Sequence, residues 1–89
     1  SLEYMFLAIK CINKAIQDKD GVLIHCKAGH GRAGAISFCH LLTQQSNLKD
    51  PNILIKVQQQ LLAIRRTRKT LYKQKNIQLF YQKLLLSEI

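Results

Sequence analysis

The chain has 89 residues, enough for one domain with one modest hydrophobic core. Its apolar fraction of 47%, with a single proline, excludes a disordered linker. Fourteen Lys and Arg against five Asp and Glu give a net charge of +9, which favours an anionic partner such as a phosphorylated substrate, nucleic acid or an acidic membrane face.

The first predicted element is an amphipathic helix that ends at the sequence DKDG. Apolar residues recur in it at spacings of three and four, and they are Leu2, Met5, Phe6, Ile9, Ile12 and Ile16. The sequence VLIHC then predicts a short buried strand, because an apolar run is bounded by Gly21 and a glycine-rich turn. It is the one strand that the pattern predicts.

Three further helices are predicted after the glycine-rich turn. From Arg32 to about Gln44 the sequence is apolar almost all round, which predicts a central helix enclosed by other elements. Pro51 opens the next helix, which runs to about Arg66 and is expected to bury Leu54, Val57, Leu61 and Ile64. A basic loop follows, and a last amphipathic helix is expected to bury Ile77, Phe80, Tyr81, Leu84 and Leu85.

A single strand cannot form a stable sheet by itself. It has unpaired backbone groups on both edges, and even an isolated pair of strands is marginal in water. We therefore expect an α/β fold of which this chain is a piece, with the remaining strands supplied upstream or by another chain.

The sequence HCKAGHGRAG, from His25 to Gly34, contains three of the four glycines of the chain. A strand ending at Cys26, a loop with Gly29 and Gly31 and a helix beginning near Arg32 would direct several backbone N–H groups at one point, which suits a phosphate dianion. Glycine allows the tight bend and leaves the bowl free of side chains, and Gly34 allows close packing of the helix's first turn.

The same residues can supply a nucleophile and a clamp for phosphorus. The positive end of a helix lowers the pKa of a thiol, so we expect Cys26 to be ionised near neutral pH. Arg32 offers a planar pair of donors to two phosphate oxygens, which Lys could not do.

The motif HCKAGHGR, with Gly34 after it, resembles the His-Cys-x5-Arg signature of the protein tyrosine phosphatase superfamily. The resemblance implies that the Cys26 thiolate attacks phosphorus, and that water hydrolyses the cysteinyl-phosphate without a metal or other cofactor. It further implies that Arg32 and backbone amides hold the phosphate oxygens, the amides being those of Lys27, Ala28, Gly29, His30, Gly31 and Arg32. His25 would support the loop.

Two later segments resemble the tyrosine-specific branch. DPNILIKVQQQLLAIRRTR is similar to a helix that ends in Arg-x-x-Arg, and QKNIQLFYQKLL to a closing segment whose glutamines position substrate and water. One alignment puts Lys73 and Ile77 at these glutamines, whereas a shift by one residue puts Gln74 and Gln78 there, and we favour the second. Residues 1–89 would then be the C-terminal portion of one phosphatase catalytic domain, in which helices flank a central sheet.

The sequence departs from the family pattern at two points. Ala33 stands where the family has Ser or Thr, whose hydroxyl helps the cysteine sulfur to leave, so we expect the phosphoenzyme to form normally and to hydrolyse slowly. The family's general acid, an aspartate on a mobile loop, would lie before residue 1, because Asp18 and Asp20 are too close to Cys26. We therefore expect residues 1–89 alone to be nearly inactive and to require the rest of the domain.

Several alternatives stay open. A phosphotyrosine protein is the first substrate class, but the basic Lys27 and His30 also resemble a phosphoinositide phosphatase, and Ala33 would suit a phosphate-binding pseudophosphatase. Nucleic acid is a third alternative that we do not favour, because Tyr4, Tyr72 and Tyr81 show no interleaved aromatic spacing and the basic run RRTRKTLYKQK is more simply a solvated surface.

The three cysteines, Cys11, Cys26 and Cys39, are odd in number and show no Cys-x-x-Cys spacing. Neither a disulfide framework nor a zinc site is indicated, and a reducing compartment such as the cytoplasm fits best, with any upstream targeting segment left open. We expect Cys11 and Cys39 to fill core space on helix faces.

Overall fold

The computed structural model describes residues 2–19 and 31–87. Over these two ranges the chain forms four α-helices and one 3₁₀ turn: α1 Leu2–Gln17, α2 Gly31–Thr43, α3 Ile53–Ile64, the 3₁₀ turn Leu71–Lys73 and α4 Lys75–Ser87. Neither range contains a strand, and the predicted strand at 22–26 falls between them. The helical part of the expected α/β fold is thus what the structure shows.

Helix α2 lies at the centre and packs against α1, α3, α4 and the 3₁₀ turn. Its side chains Phe38, Cys39 and Leu42 are fully buried, and Ala33 and Ala35 nearly so. The prediction of a central helix enclosed on all sides is therefore confirmed, with bounds that differ by one residue at each end.

One hydrophobic core joins all the helices. Its buried members are Met5, Ile9, Ala35, Phe38, Cys39, Leu42, Leu48, Ile53, Val57, Leu61, Leu71, Ile77 and Phe80. Each large apolar side chain of this kind contributes about 1.5–3 kcal/mol when it is fully buried. Because α2 packs against α1, α3, α4 and the 3₁₀ turn, its position is fixed by every neighbouring element.

Helix α1 buries Met5, Ile9 and Ile12, as its periodicity predicts. The expectation for Cys11 was wrong: that side chain is exposed, because it points away from the face that carries Ile9 and Ile12. Ile16 is also exposed, in the last turn before the chain leaves the helix. Lys19 then adopts φ 62, the left-handed conformation that commonly follows a helix end.

Helix α3 begins at Ile53, two residues after Pro51, because Asp50 builds the preceding turn. The Asp50 carboxylate accepts from the Asn52 N–H at 2.9 Å and pairs with Lys56. Val57 and Leu61 are fully buried as predicted, but Ile64 is 69% exposed. The prediction for Ile64 was wrong: this side chain is at the last residue of α3, after which Arg65 is extended and the buried stripe does not continue.

Helix α4 confirms the last predicted element. Ile77 and Phe80 are fully buried, while Tyr81, Leu84 and Leu85 are partly buried against the core. The Tyr81 hydroxyl donates to the Leu48 carbonyl and ties α4 to the segment that follows α2. Across residues 2–19 and 31–87, no helix combines the length and the apolar character that a membrane span requires.

Candidate functional site

The glycine motif, the sequence HCKAGHGRAG at residues 25–34, is described by the structure only at its end, where α2 begins. Gly31 and Arg32 are the first two residues of the helix, whereas His25, Cys26, Lys27, Ala28, Gly29 and His30 lie outside the described residues. The first four N–H groups of a helix have no partner within it and form the positive end of its dipole. Because the first turn of α2 holds no acidic residue, this end favours an anion.

The first turn of α2 presents two small residues, Ala33 and Gly34, to its surroundings. Ala33 is 3% exposed and brings no hydroxyl to this turn. At Gly34, a Cβ atom would lie 2.9 Å from Oγ1 of Thr67 and 3.3 Å from Cδ2 of Leu71. Any side chain there would collide with Thr67, so glycine is what allows the two segments to approach this closely.

We call residues 65–70 the basic loop, and Thr67 is its point of contact with α2. The Thr67 hydroxyl is buried and has no hydrogen-bond partner, the one such side-chain atom within the described residues. An unsatisfied buried polar group costs about 1–3 kcal/mol. Sequence reasoning missed Thr67, since a threonine inside a basic run gives no signal of burial.

Gln58 holds the basic loop from the α3 side. Its side chain is 2% exposed; Nε2 donates to the Arg68 carbonyl at 3.0 Å, and Oε1 accepts from the Tyr72 N–H at 3.0 Å. Sequence reasoning missed this residue as well, because it is the first of three consecutive glutamines. Its spacing from Leu54 and Leu61, four and three residues away on the buried stripe, is the signal that could have found it.

Arg65 joins the end of α3 to α2. Its N–H donates to the Leu61 carbonyl at 2.9 Å, and its guanidinium Nη1 donates to Oγ of Ser37 at 2.8 Å. Ser37 is buried and lies one helical turn after Ala33. The basic loop is therefore tied to the N-terminal half of α2 at two places, Ser37 and Gly34.

The segment from the basic loop into α4 carries cations without matching anions. Its exposed basic residues are Arg66, Arg68, Lys69, Lys73 and Lys75. The sequence has no acidic residue between Asp50 and Glu88. Among the described residues, the one ion pair is Lys56 with Asp50 at the start of α3. Positive charge without an ion pair among the described residues thus flanks Thr67, which lies against Gly34 in the first turn of α2.

The two glutamines predicted to act on substrate and water lie where the 3₁₀ turn meets α4. Gln74 is half-buried, its N–H donates to the Leu71 carbonyl at 3.1 Å, and its own carbonyl accepts from the N–H of the exposed Gln78 at 3.1 Å. The rival alignment would use Ile77, which is fully buried in the core and has no polar side chain.

The described thiols differ in their capacity to react. Burial raises the pKa of Cys39 to about 12, so it stays a neutral thiol at physiological pH. Cys11 is free and exposed on α1. No group of three His, Cys, Asp or Glu within the described part of the chain could hold a metal ion.

Comparison with known families gives one match. A family model described as "Dual specificity phosphatase, catalytic domain" matches residues 1–76, a span that takes in α1, the glycine motif, α2, α3, the basic loop and the 3₁₀ turn. Neither a curated protein nor a solved structure matches the chain.

Proposed function

Because the chain belongs to the dual specificity phosphatase catalytic-domain family, a branch of the cysteine-dependent protein phosphatases, we propose that it hydrolyses phosphotyrosine in proteins through a cysteinyl-phosphate. The observation that supports this most is the start of α2 at Gly31, at the end of the motif HCKAGHGR. That helix end, close to Arg66, Arg68 and Lys69 of the basic loop, which form no ion pair among the described residues, suits a bound phosphate monoester.

In the first step the Cys26 thiolate attacks phosphorus, and an S–P bond forms as the P–O bond to the leaving group breaks. Arg32 and the backbone N–H groups of residues 27–32 hold the remaining phosphate oxygens, and they hold them most tightly in the transition state. The leaving oxygen takes a proton from a general acid that we place outside residues 1–89. We propose that these residues are the C-terminal portion of the catalytic domain and need its other part for full activity.

In the second step water attacks phosphorus, the S–P bond breaks, and inorganic phosphate leaves. Gln74 and Gln78 orient this water, and both side chains are at least partly accessible. The residue after Arg32 is the buried Ala33, which has no hydroxyl to donate to the departing sulfur. We therefore propose that hydrolysis of the phosphoenzyme is the slow step. Cys26 must remain reduced throughout, so we propose a cytoplasmic setting for the protein.

The test is a comparison of substrates with the full-length protein. Phosphate release should be fastest from a phosphotyrosine peptide and slower from a phosphoserine peptide and a phosphoinositide. Cys26→Ser should abolish release, whereas Cys11→Ser, at the exposed thiol on α1, should leave it unchanged. Release that survives Cys26→Ser would refute the cysteine mechanism, and a preference for the phosphoinositide would replace the proposed substrate class.

A phosphate-binding pseudophosphatase is the second candidate, and Ala33 is the observation that favours it. The two functions differ in the response to Ala33→Ser. If the protein is an enzyme limited by hydrolysis, the new hydroxyl should raise turnover by about tenfold or more. A protein that binds vanadate but gives no turnover with either residue at position 33 would be a binder.

A further inference from the structure

Gln58 is, with Ser37, one of the two buried polar side chains in the described part of the chain. Its amide uses both of its functions, a donor to the Arg68 carbonyl and an acceptor for the Tyr72 N–H, each at 3.0 Å. Both partners are backbone groups, so the contact fixes the path of the main chain. The side chain is 2% exposed, so water cannot replace either bond.

The backbone held by Gln58 leads directly to the proposed site. On one side, Arg68 follows Thr67, whose hydroxyl lies against Gly34 in the first turn of α2. On the other side, Tyr72 is the middle residue of the 3₁₀ turn, and Gln74 comes two residues later. Gln58 thus links the residue that contacts α2 with the glutamine that is to orient water.

We propose that Gln58 is a positioning residue for hydrolysis of the phosphoenzyme, acting through Gln74; this inference rests on the proposed function. A glutamine amide alone among side chains of this length presents a neutral donor and a neutral acceptor at its tip. Without it, the Arg68 carbonyl and the Tyr72 N–H lose their partners inside the protein. The 3₁₀ turn then shifts and takes Gln74 away from the water that attacks phosphorus.

The effect is specific to one step because the two chemical steps use different groups. Formation of the phosphoenzyme depends on Cys26, Arg32 and the N-terminus of α2, whereas the Gln58 amide bonds the backbone of Arg68 and Tyr72. Hydrolysis depends in addition on an oriented water. A displacement of about 1 Å in a positioning group can lower the rate of the step it serves by a large factor.

The experiment measures the two steps separately in the full-length protein. Each variant is mixed with an aryl phosphate whose phenolate leaves readily, and the burst of phenolate gives the rate of phosphoenzyme formation. Acid quenching and mass spectrometry then give the lifetime of phosphorylated Cys26. Gln58→Met removes both hydrogen bonds at nearly constant volume, and Gln58→Glu retains the acceptor for Tyr72. Gln59→Met is the matched control at the exposed neighbour on the same helix.

We expect Gln58→Met to lengthen the lifetime of the phosphoenzyme on the order of tenfold while the burst rate changes less than twofold. Gln58→Glu should fall between this variant and the wild type, and Gln59→Met should match the wild type. Melting temperatures, and assays well below each of them, separate this result from partial unfolding, which lowers the burst amplitude.

Two outcomes overturn the inference. One is a lifetime for Gln58→Met and Gln58→Glu within twofold of Gln59→Met, and the other is an equal loss in both steps. The proposed function fails differently: if wild-type protein never carries phosphate on Cys26, the mechanism itself is wrong and the role of Gln58 falls with it. Should Gln58→Met not fold, the lifetime in Gln58→Glu decides, because that variant keeps one of the two bonds.

Discussion

The polar side chains at the two ends of α2 differ in whether they form hydrogen bonds. At the C-terminal end, the Thr43 hydroxyl donates to the His40 carbonyl at 2.6 Å, and Nε2 of Gln45 donates to the Leu41 carbonyl at 2.9 Å. At the N-terminal end, the Thr67 hydroxyl is buried against Gly34 and has no partner in the described part of the chain. The C-terminal end is hydrogen-bonded by side chains next to it in sequence, whereas the N-terminal end has a buried hydroxyl beside it without a partner among the described residues.

The difference indicates which end is shaped for stability and which for function. Side chains that bond the last carbonyls of a helix remove the need for any other partner there. The N-terminal end instead has the small buried Ala33, and Gly34 there lies against Thr67 of the basic loop. A protein keeps a costly unsatisfied group where another requirement determines the local structure, and binding of phosphate is the requirement that we propose.

The largest expected effect concerns the close approach at Gly34. Gly34→Ala should lower the free energy of unfolding by about 1–3 kcal/mol, because the new Cβ collides with Oγ1 of Thr67. In a Thr67→Ala background the same change should cost about 1 kcal/mol less, because only the 3.3 Å approach to Cδ2 of Leu71 then remains and alanine favours a helix more than glycine does. Urea unfolding of the four proteins gives this double-mutant cycle. If the loss of stability is equal in both backgrounds, the Thr67 hydroxyl is not what excludes a side chain at Gly34.

A matched pair of threonine substitutions compares the two ends directly. Thr43→Val removes a hydroxyl that makes a hydrogen bond and should cost about 1 kcal/mol. Thr67→Val removes a buried hydroxyl that makes none, so it should leave stability unchanged or raise it by up to about 1 kcal/mol. Thermal unfolding measures both. A loss at Thr67 as large as that at Thr43 would mean that the N-terminal end is as well satisfied as the C-terminal end.

The smallest effect concerns Cys39, in the C-terminal half of α2. Burial raises the pKa of Cys39 from 9.0 to about 12, so its contribution to stability is complete below pH 9. Above pH 9 the unfolded chain loses this proton and the folded chain keeps it, so stability falls as pH rises, by about 0.8 kcal/mol at pH 9.5. Unfolding of the wild type and of Cys39→Ala at pH 8 and 9.5 checks this, and an equal pH dependence in the two would contradict it.

The periodic helices could be predicted from the sequence because each has a long apolar stripe. The predictions of the core-facing side of α4 and of α2 as a central helix were confirmed. Ile64 failed because periodicity continues to the end of a helix, whereas burial stops where the chain turns away at Arg65. The prediction that Cys11 is buried was wrong because its position on α1 lies off the face that carries Ile9 and Ile12.

The residues of the proposed site could be predicted where they belong to one local sequence motif. The spacing of Cys26, Arg32 and Gly34 points to phosphate by itself, and these roles stay predictions because most of the motif lies outside the described residues. Gln58 and Thr67 could not be found in this way. Their importance comes from contacts with Tyr72, Arg68 and Gly34, over separations in sequence that no local pattern reports.

The most direct measurement of the central claim is the location of the phosphate during turnover. The full-length protein is mixed with a phosphotyrosine peptide, quenched in acid and mapped by mass spectrometry. We predict phosphate on Cys26 and on neither Cys11 nor Cys39, with a larger trapped fraction than in Ala33→Ser. Turnover of the peptide without phosphate on Cys26 at any quench time would contradict the account.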